Sequence, residues 1–148
     1  MGIVLHQDFK EFLNLLNFNK IPYLLIGGYA VGYHGYPRAT NDLDVWIAID
    51  SKVATQMVSV IKEFGFDTEQ LAQEIFLKKN NIIRMGEPPI RIEILNTISG
   101  VSFDECFKKR IVTKLDGIKV NIIGLDQLKQ NKKASARHKD IDDLENLP

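Results

Sequence analysis

With 148 residues, 45% of them apolar, the chain is expected to fold as a single domain (residues 1–148) around a core of its own. Nineteen basic and nineteen acidic residues cancel to a formal net charge of zero, which removes the electrostatic ground for a general polyanion binder. One cysteine, Cys106, excludes an internal disulfide, and no apolar run reaches the roughly 18 residues that a membrane span requires.

In chain order, Met1 to Leu5 is too short and too weakly basic to read as a signal peptide, so a cytoplasmic location is expected. Phe9, Phe12, Leu13 and Leu16 follow helical spacing, and Asp8 with Glu11 resembles a capping box, which predicts a helix from about Asp8 to Phe18. Pro22 to Ile26 reads as a buried strand, Gly28 to about Gly35 as a short helix, and Leu43 to Ile49 as a second strand. Ser51 is the expected N-cap of a helix carrying Val53, Met57, Val60, Ile61 and Phe64, with Gly65 at its C-terminal cap. Glu74 to Lys79 and Ile82 to Met85 flank Asn80-Asn81, which reads as a hairpin turn, and Gly86 to Pro89 reads as a chain break. Ile90 to Leu95 alternates as a strand. Ser102 and Glu105 predict a capped helix to about Lys109. Ile111 to Leu115 and Ile118 to Ile123 flank Asp116-Gly117, a strong hairpin signal. The remainder reads as helical with a break near Ser135 to His138. Helices alternating with strands and hairpins predict an α/β (α+β) protein, a mixed sheet beside helices.

The chemistry concentrates between Gly27 and Val45. Side chains alternate along a strand, so Asp42 and Asp44 share one face while Leu43 and Val45 take the other. Two adjacent carboxylates repel unless a cation lies between them, and hard divalent cations take carboxylate oxygens together with substrate phosphates. Glu93 sits in the polar phase of Ile90 to Leu95, and if that strand lies beside the Asp42/Asp44 strand, three carboxylates converge. The Gly27-Gly28 turn offers backbone N–H groups at close range, and Arg38 and Thr40 are placed to reach phosphate oxygens. His34 and the tyrosines Tyr29, Tyr33 and Tyr36 read as packing residues.

Taken together, these residues resemble the signature of the DNA polymerase beta-like nucleotidyltransferase superfamily, in which G-G or G-S precedes D-x-D. More narrowly, LIGGYAVGYHGYPRATNDLDVWI (Leu25 to Ile47) is similar to small bacterial nucleotidyltransferase-like proteins related to the AbiEii toxins. The closing stretch from Lys132 to Leu144 carries the same resemblance, with Lys132, Arg137, Lys139 and Asp140 at the matching positions. An unbroken helix would instead align Lys133, Arg137 and Asp140, so the family register requires the break near Ser135. The third carboxylate departs from the family's usual Asp, since Glu93 is one methylene longer.

The resemblance implies a nucleotidyltransferase fold and transfer of a nucleoside monophosphate from an NTP to an acceptor hydroxyl. Asp42, Asp44 and Glu93 would be the catalytic residues and the ligands of Mg2+ (or Mn2+). Gly27, Gly28, Arg38, Thr40 and Lys132 would bind the nucleotide, with Arg137, Lys139 and Asp140 in support. The acceptor stays open among RNA, a protein side chain and a small molecule. A homodimer or a small partner protein would complete the site, as in a toxin-antitoxin pair. Two alternatives accompany this reading: a catalytically degenerate module of the same fold, and a metal-dependent phosphohydrolase.

Overall fold

The computed structural model describes residues 2–148. In chain order the elements are α1 (Gln7–Phe18), β1 (Leu24–Ile26), α2 (Gly27–Tyr33), β2 (Asp42–Trp46), α3 (Ser51–Phe64), α4 (Glu74–Leu77) and β3 (Ile82–Glu87). They continue with β4 (Ile90–Leu95), α5 (Phe103–Lys108), β5 (Ile111–Leu115), β6 (Ile118–Ile122), α6 (Leu125–Ser135) and α7 (His138–Asn146). The strands form one six-stranded mixed sheet in the order β3-β4-β2-β1-β6-β5. The expected α/β class and mixed sheet flanked by helices therefore hold.

The core follows from the periodicities. Helix α1 buries Phe9, Phe12, Leu13 and Leu16, and α3 buries Val53, Ala54, Met57, Val60 and Ile61, each set spaced along one helical face. Strand β1 is buried throughout, which is why Leu24-Leu25-Ile26 reads as an uninterrupted apolar run. It pairs antiparallel with β2 and parallel with β6. Strand β2 in turn lies parallel to β4. The sheet's functional face is thus built around a central, fully paired strand, whose position the ladder fixes.

Three local expectations are corrected. The first helix is capped by His6, whose Nδ1 accepts from the Asp8 amide, so the Asp8/Glu11 box is not the cap. The third helix is capped by Asp50, whose carboxylate accepts from the Lys52 amide, one residue ahead of Ser51. Asn80-Asn81 is not a hairpin turn. Glu74–Leu77 folds as the short helix α4, anchored by buried Phe76, and the amides of Asn80 and Asn81 are taken by Thr97 Oγ1 and Asn96 Oδ1. The hairpin lies one step later: β3 and β4 pair antiparallel, joined by Pro88-Pro89. Gly86 permits this turn, because a Cβ there would lie 2.5 Å from the Ile90 carbonyl oxygen. The Asp116-Gly117 hairpin forms as expected, between β5 and β6.

Candidate functional site

Strand β2 puts Leu43 and Val45 into the core and leaves Asp42 and Asp44 on the opposite face. The parallel register with β4 sets Asp44 beside Glu93 and Asp42 beside Arg91. Because period two governs both strands, Arg91, Glu93 and Leu95 share the face of the two aspartates. The Arg91 guanidinium engages Asp42 side-on: Nε donates to Oδ1 and Nη2 to Oδ2, each at 3.0 Å. The same Nη2 lies 3.1 Å from Glu93 Oε1, and Arg84 Nε reaches that oxygen at 3.4 Å. Among the described residues Asp44 has no such partner. Burial, then the neighbouring charges of Glu93 and Asp42, push its carboxyl up to about 6, while Lys139 and Lys132 pull it down.

The glycine turn shapes itself around Asp44. Gly27 has φ of +68°, and a Cβ there would run into the Asp44 carboxylate. Only glycine meets both demands. Gly28 leaves room for Thr40, whose Oγ1 would lie 2.7 Å from a Cβ at that position. Thr40 Oγ1 donates to the Asp42 carbonyl at 3.2 Å, tying the loop before β2 to the carboxylate strand. His34 Nε2 shares a hydrogen bond of 2.7 Å with the Ile123 carbonyl, which fits its reading as a packing residue.

The facing wall comes from α6, α7 and the loop carrying Arg38. The chain breaks where expected: α6 ends at Ser135, Ala136 takes φ of +50°, and α7 starts at His138. The break turns Lys132 inward and leaves Lys133 exposed. Lys132, Asp140 and Asp143 are the buried charged residues among those described, with Lys132 3% exposed and both aspartates at 0%. Lys132 Nζ lies 3.1 Å from Asp140 Oδ1 and 2.9 Å from Asp143 Oδ2. The second contact is an ion pair without hydrogen-bond directionality. Asp143 Oδ1 also accepts from Arg38 Nη1 at 2.7 Å. Asp140 accepts from Ser135 Oγ, the Arg137 amide and the Arg137 guanidinium. Burial opposes its ionisation, but the bonds from Arg137, Ser135 and Lys132 outweigh it and hold the carboxyl well below the usual carboxylate range.

These walls enclose an open cleft of about 890 Å³. Gly27, Gly28, Arg38, Thr40, Asp42, Asp44, Glu93, Lys132, Arg137 and Lys139 all line it. Of the sequence-predicted site residues, Asp140 alone is not brought to the cleft; it lies beneath the wall, under Lys132 and Arg137. Two residues that sequence reasoning missed are central. Arg91 was signalled by the period that selected Glu93, two positions earlier in the same phase. Asp143, three residues after Asp140, joins Arg38 to Lys132.

Three carboxylates on one face are hard oxygen donors of the kind Mg2+ takes, and the raised Asp44 carboxyl marks a place where a cation would relieve repulsion. Among the described residues no group of three His, Cys, Asp or Glu is gathered closely enough to hold a metal ion as it stands. Arg91 engages both oxygens of Asp42 and one of Glu93. The donor set fits a divalent ion in kind, with Arg91 in its way.

A Gly-Gly turn packs on D-x-D, with a third acidic residue on the adjacent parallel strand and a cationic wall opposite, the arrangement that the sequence resemblance to nucleotidyltransferases implies. Residues 5–148 match the family described as nucleotidyl transferase of unknown function (DUF2204), and the chain belongs to that family. Solved structures share the fold. A Thermotoga maritima protein assigned as a nucleotidyltransferase superposes with a TM-score of 0.62 at 16% identity, over 93% of this chain and 88% of that one. An antigenic nucleotidyltransferase-like protein from Paracoccidioides brasiliensis gives 0.57 at 18% identity, over 96% and 76%. The lincosamide antibiotic adenylyltransferase LnuA, solved with lincomycin bound, gives 0.56 at 15% identity, over 97% and 96%. No curated protein matches the chain in sequence.

Proposed function

We propose that the protein transfers a nucleoside monophosphate from an NTP to an acceptor hydroxyl and releases pyrophosphate. The observation that carries this reading is the register of Asp44 with Glu93 on adjacent parallel strands, with Asp42 on the same face of the cleft and Gly27 packed against Asp44. The acceptor oxygen attacks the α-phosphorus, the bond to the bridging oxygen of the leaving pyrophosphate breaks, and Glu93 takes the acceptor proton. Arg38, Arg137 and Lys139 border the cleft and offset triphosphate charge. Gly27 and Gly28 let the backbone approach the phosphates. Lys132, neutralised by Asp140 and Asp143, acts on the cleft through position more than through free charge. Asp42, Asp44 and Glu93 would hold Mg2+ or Mn2+, which supplies charge stabilisation at the transferring phosphoryl group. In-line displacement needs positioning and electrostatics rather than covalent chemistry by the chain.

The resemblance to AbiEii-related proteins adds a finer reading, a toxin paired with a small partner protein, and recovery of this chain with the product of a neighbouring gene would support it. The acceptor is RNA, protein or a small molecule. The test is transfer of α-labelled nucleotide from each NTP, with Mg2+, into RNA, protein and small-molecule fractions of a cell extract. Label in one fraction from the wild type, lost with Asp44→Asn, is the expected result. Arg91 clasping Asp42 and Glu93 favours one competitor, a nucleotide-binding module without catalysis. In that case Mg-NTP raises the thermal midpoint but no fraction takes label.

A further inference from the structure

We propose that Arg91 is a resident counter-cation that occupies the metal seat between Asp42 and Glu93 and vacates it when metal and nucleotide arrive. The inference rests on the reading of Asp42, Asp44 and Glu93 as metal ligands. Its basis is geometric. Side-on pairing engages both Asp42 oxygens, and the same guanidinium nitrogen touches Glu93. The guanidinium thus lies where an ion shared by those two residues would bind. The Arg91 backbone is fixed in the β2–β4 ladder and its amide donates to the Asn41 carbonyl at 3.3 Å, so the side chain can leave while the strand stays.

Charge argues for exchange rather than a permanent pair. Three carboxylates share this face against two arginines, Arg91 on Asp42 and Glu93 and the half-exposed Arg84 on Glu93 alone. Asp44, beside Glu93, makes no ion pair among the described residues. A divalent ion can serve all three, which a planar monovalent group bound side-on to Asp42 cannot. Once displaced, the guanidinium remains in the cleft, where a triphosphate offers oxygens that its fork matches as well as it matches Asp42. The pairing with Arg91 keeps the Asp42 and Glu93 side chains in place before substrate arrives. It also weakens metal binding in the absence of nucleotide, so that metal and nucleotide enter together.

The experiment measures Mn2+ affinity of the whole chain without nucleotide, by electron paramagnetic resonance of free Mn2+, for wild type, Arg91→Gln, Arg91→Lys and Arg84→Gln. Removing a competing charge from the seat is expected to tighten Mn2+ binding at least ~10-fold in Arg91→Gln, whereas Arg84→Gln, half exposed and touching Glu93 alone, changes it less than ~3-fold. Arg91→Lys, which keeps the charge but not the side-on grip, is expected between them and stands in if Arg91→Gln does not fold. The gain should vanish in Arg91→Gln combined with Asp44→Asn, which locates it at this site. Equal or weaker Mn2+ binding by the Arg91 variants overturns the proposal, as does equal tightening by Arg84→Gln. If wild type transfers label but Arg91 variants show unaltered Mn2+ affinity, the proposal fails alone. Absence of Mn2+ binding at millimolar concentration in every variant overturns it together with the metal reading of the carboxylates.

Discussion

The two walls of the cleft carry charge in opposite ways. On the sheet wall, Arg91 holds Asp42 and Glu93, Arg84 also reaches Glu93, and Asp44 makes no ion pair among the described residues. On the helical wall, Asp140 and Asp143 are fully buried yet matched by Lys132, Arg38 and Arg137, with Ser135 completing the shell. The first arrangement is electrostatically frustrated and accessible. The second is matched in charge, with its carboxylates buried. Buried charges persist only when partnered, so the helical wall reads as architecture that fixes Arg38 and the start of α7. An accessible surplus of like charge is what the proposed metal reading requires, since a cation from outside would offset it. The walls also sense each other, since Lys132 and Lys139 partly offset the pressure on Asp44.

The largest expected break in this contrast is Asp44→Asn. On the sheet wall it removes the unpaired charge, so stability should be equal or higher. Nucleotidyl transfer should nevertheless fall by about 10²–10⁴-fold, the equivalent of several kcal/mol of lost transition-state stabilisation. Labelled transfer and a denaturant midpoint, measured on the same preparation, check both halves. Activity retained at near wild-type level would put Asp44 outside the machinery.

The mirror experiment on the helical wall is Lys132→Met. It keeps the volume and leaves Asp140 and Asp143 buried with one cation fewer. Stability should fall by roughly 3–5 kcal/mol, as for other buried pairs broken on one side. Chemical denaturation measures it. Lys133→Met, one residue on but exposed, should change stability by less than about 0.5 kcal/mol. Equal costs at the two positions would mean that the break at Ala136 does not orient the helix as described.

A pH series separates the walls by sign. Folded Asp44 titrates near 6 against 3.8 for the ordinary group, so between those values the folded chain holds a proton that the unfolded chain has released. Its contribution to stability is full below about pH 4, declines as pH rises and is lost above about 6, on the order of 3 kcal/mol in total. Asp140 runs the other way. Its carboxyl is depressed, so its contribution is present above the unfolded value and disappears as pH falls below it. Subtracting the Asp44→Asn stability profile from that of the wild type isolates the first component. A difference that is flat between pH 4 and 6 would show that Asp44 is not under the pressure described.

The contrast also explains what the sequence disclosed. The sheet wall was legible because strands have one period. Once Asp42, Asp44 and Glu93 were assigned to strands, their common face followed, and the structure places Glu93 directly beside Asp44. Arg91 lay in the same phase, but its pairing with Asp42 depends on the register between two strands some 45 residues apart, which neither strand encodes alone. The helical wall was legible only where the chain breaks. Periodicity favoured Lys133, and a positive φ at Ala136, a residue with no special turn chemistry, reverses that choice. Asn80-Asn81 misled for a related reason: their amides are satisfied by Asn96 and Thr97, side chains distant in sequence, so local turn chemistry did not decide the fold there.

The smallest effect tests how closed the helical wall is. Arg137 donates to Asp140 through Nε at 2.8 Å and Nη2 at 3.3 Å, but its side chain is 60% exposed. In Arg137→Ala the backbone amide of residue 137, Ser135 Oγ and Lys132 Nζ still hold Asp140. Solvent screens the lost pair, so the stability cost should stay below about 1 kcal/mol, against several for Lys132→Met. Function should be more sensitive than folding, since the guanidinium also borders the cleft: the KM for NTP should rise several-fold with kcat little changed, as expected for binding energy expressed equally in ground and transition states. Denaturant unfolding and steady-state transfer check the two numbers. If Arg137→Ala instead destabilises as much as Lys132→Met, Asp140 depends on an exposed partner, and the division between a charge-matched wall and a frustrated one no longer holds.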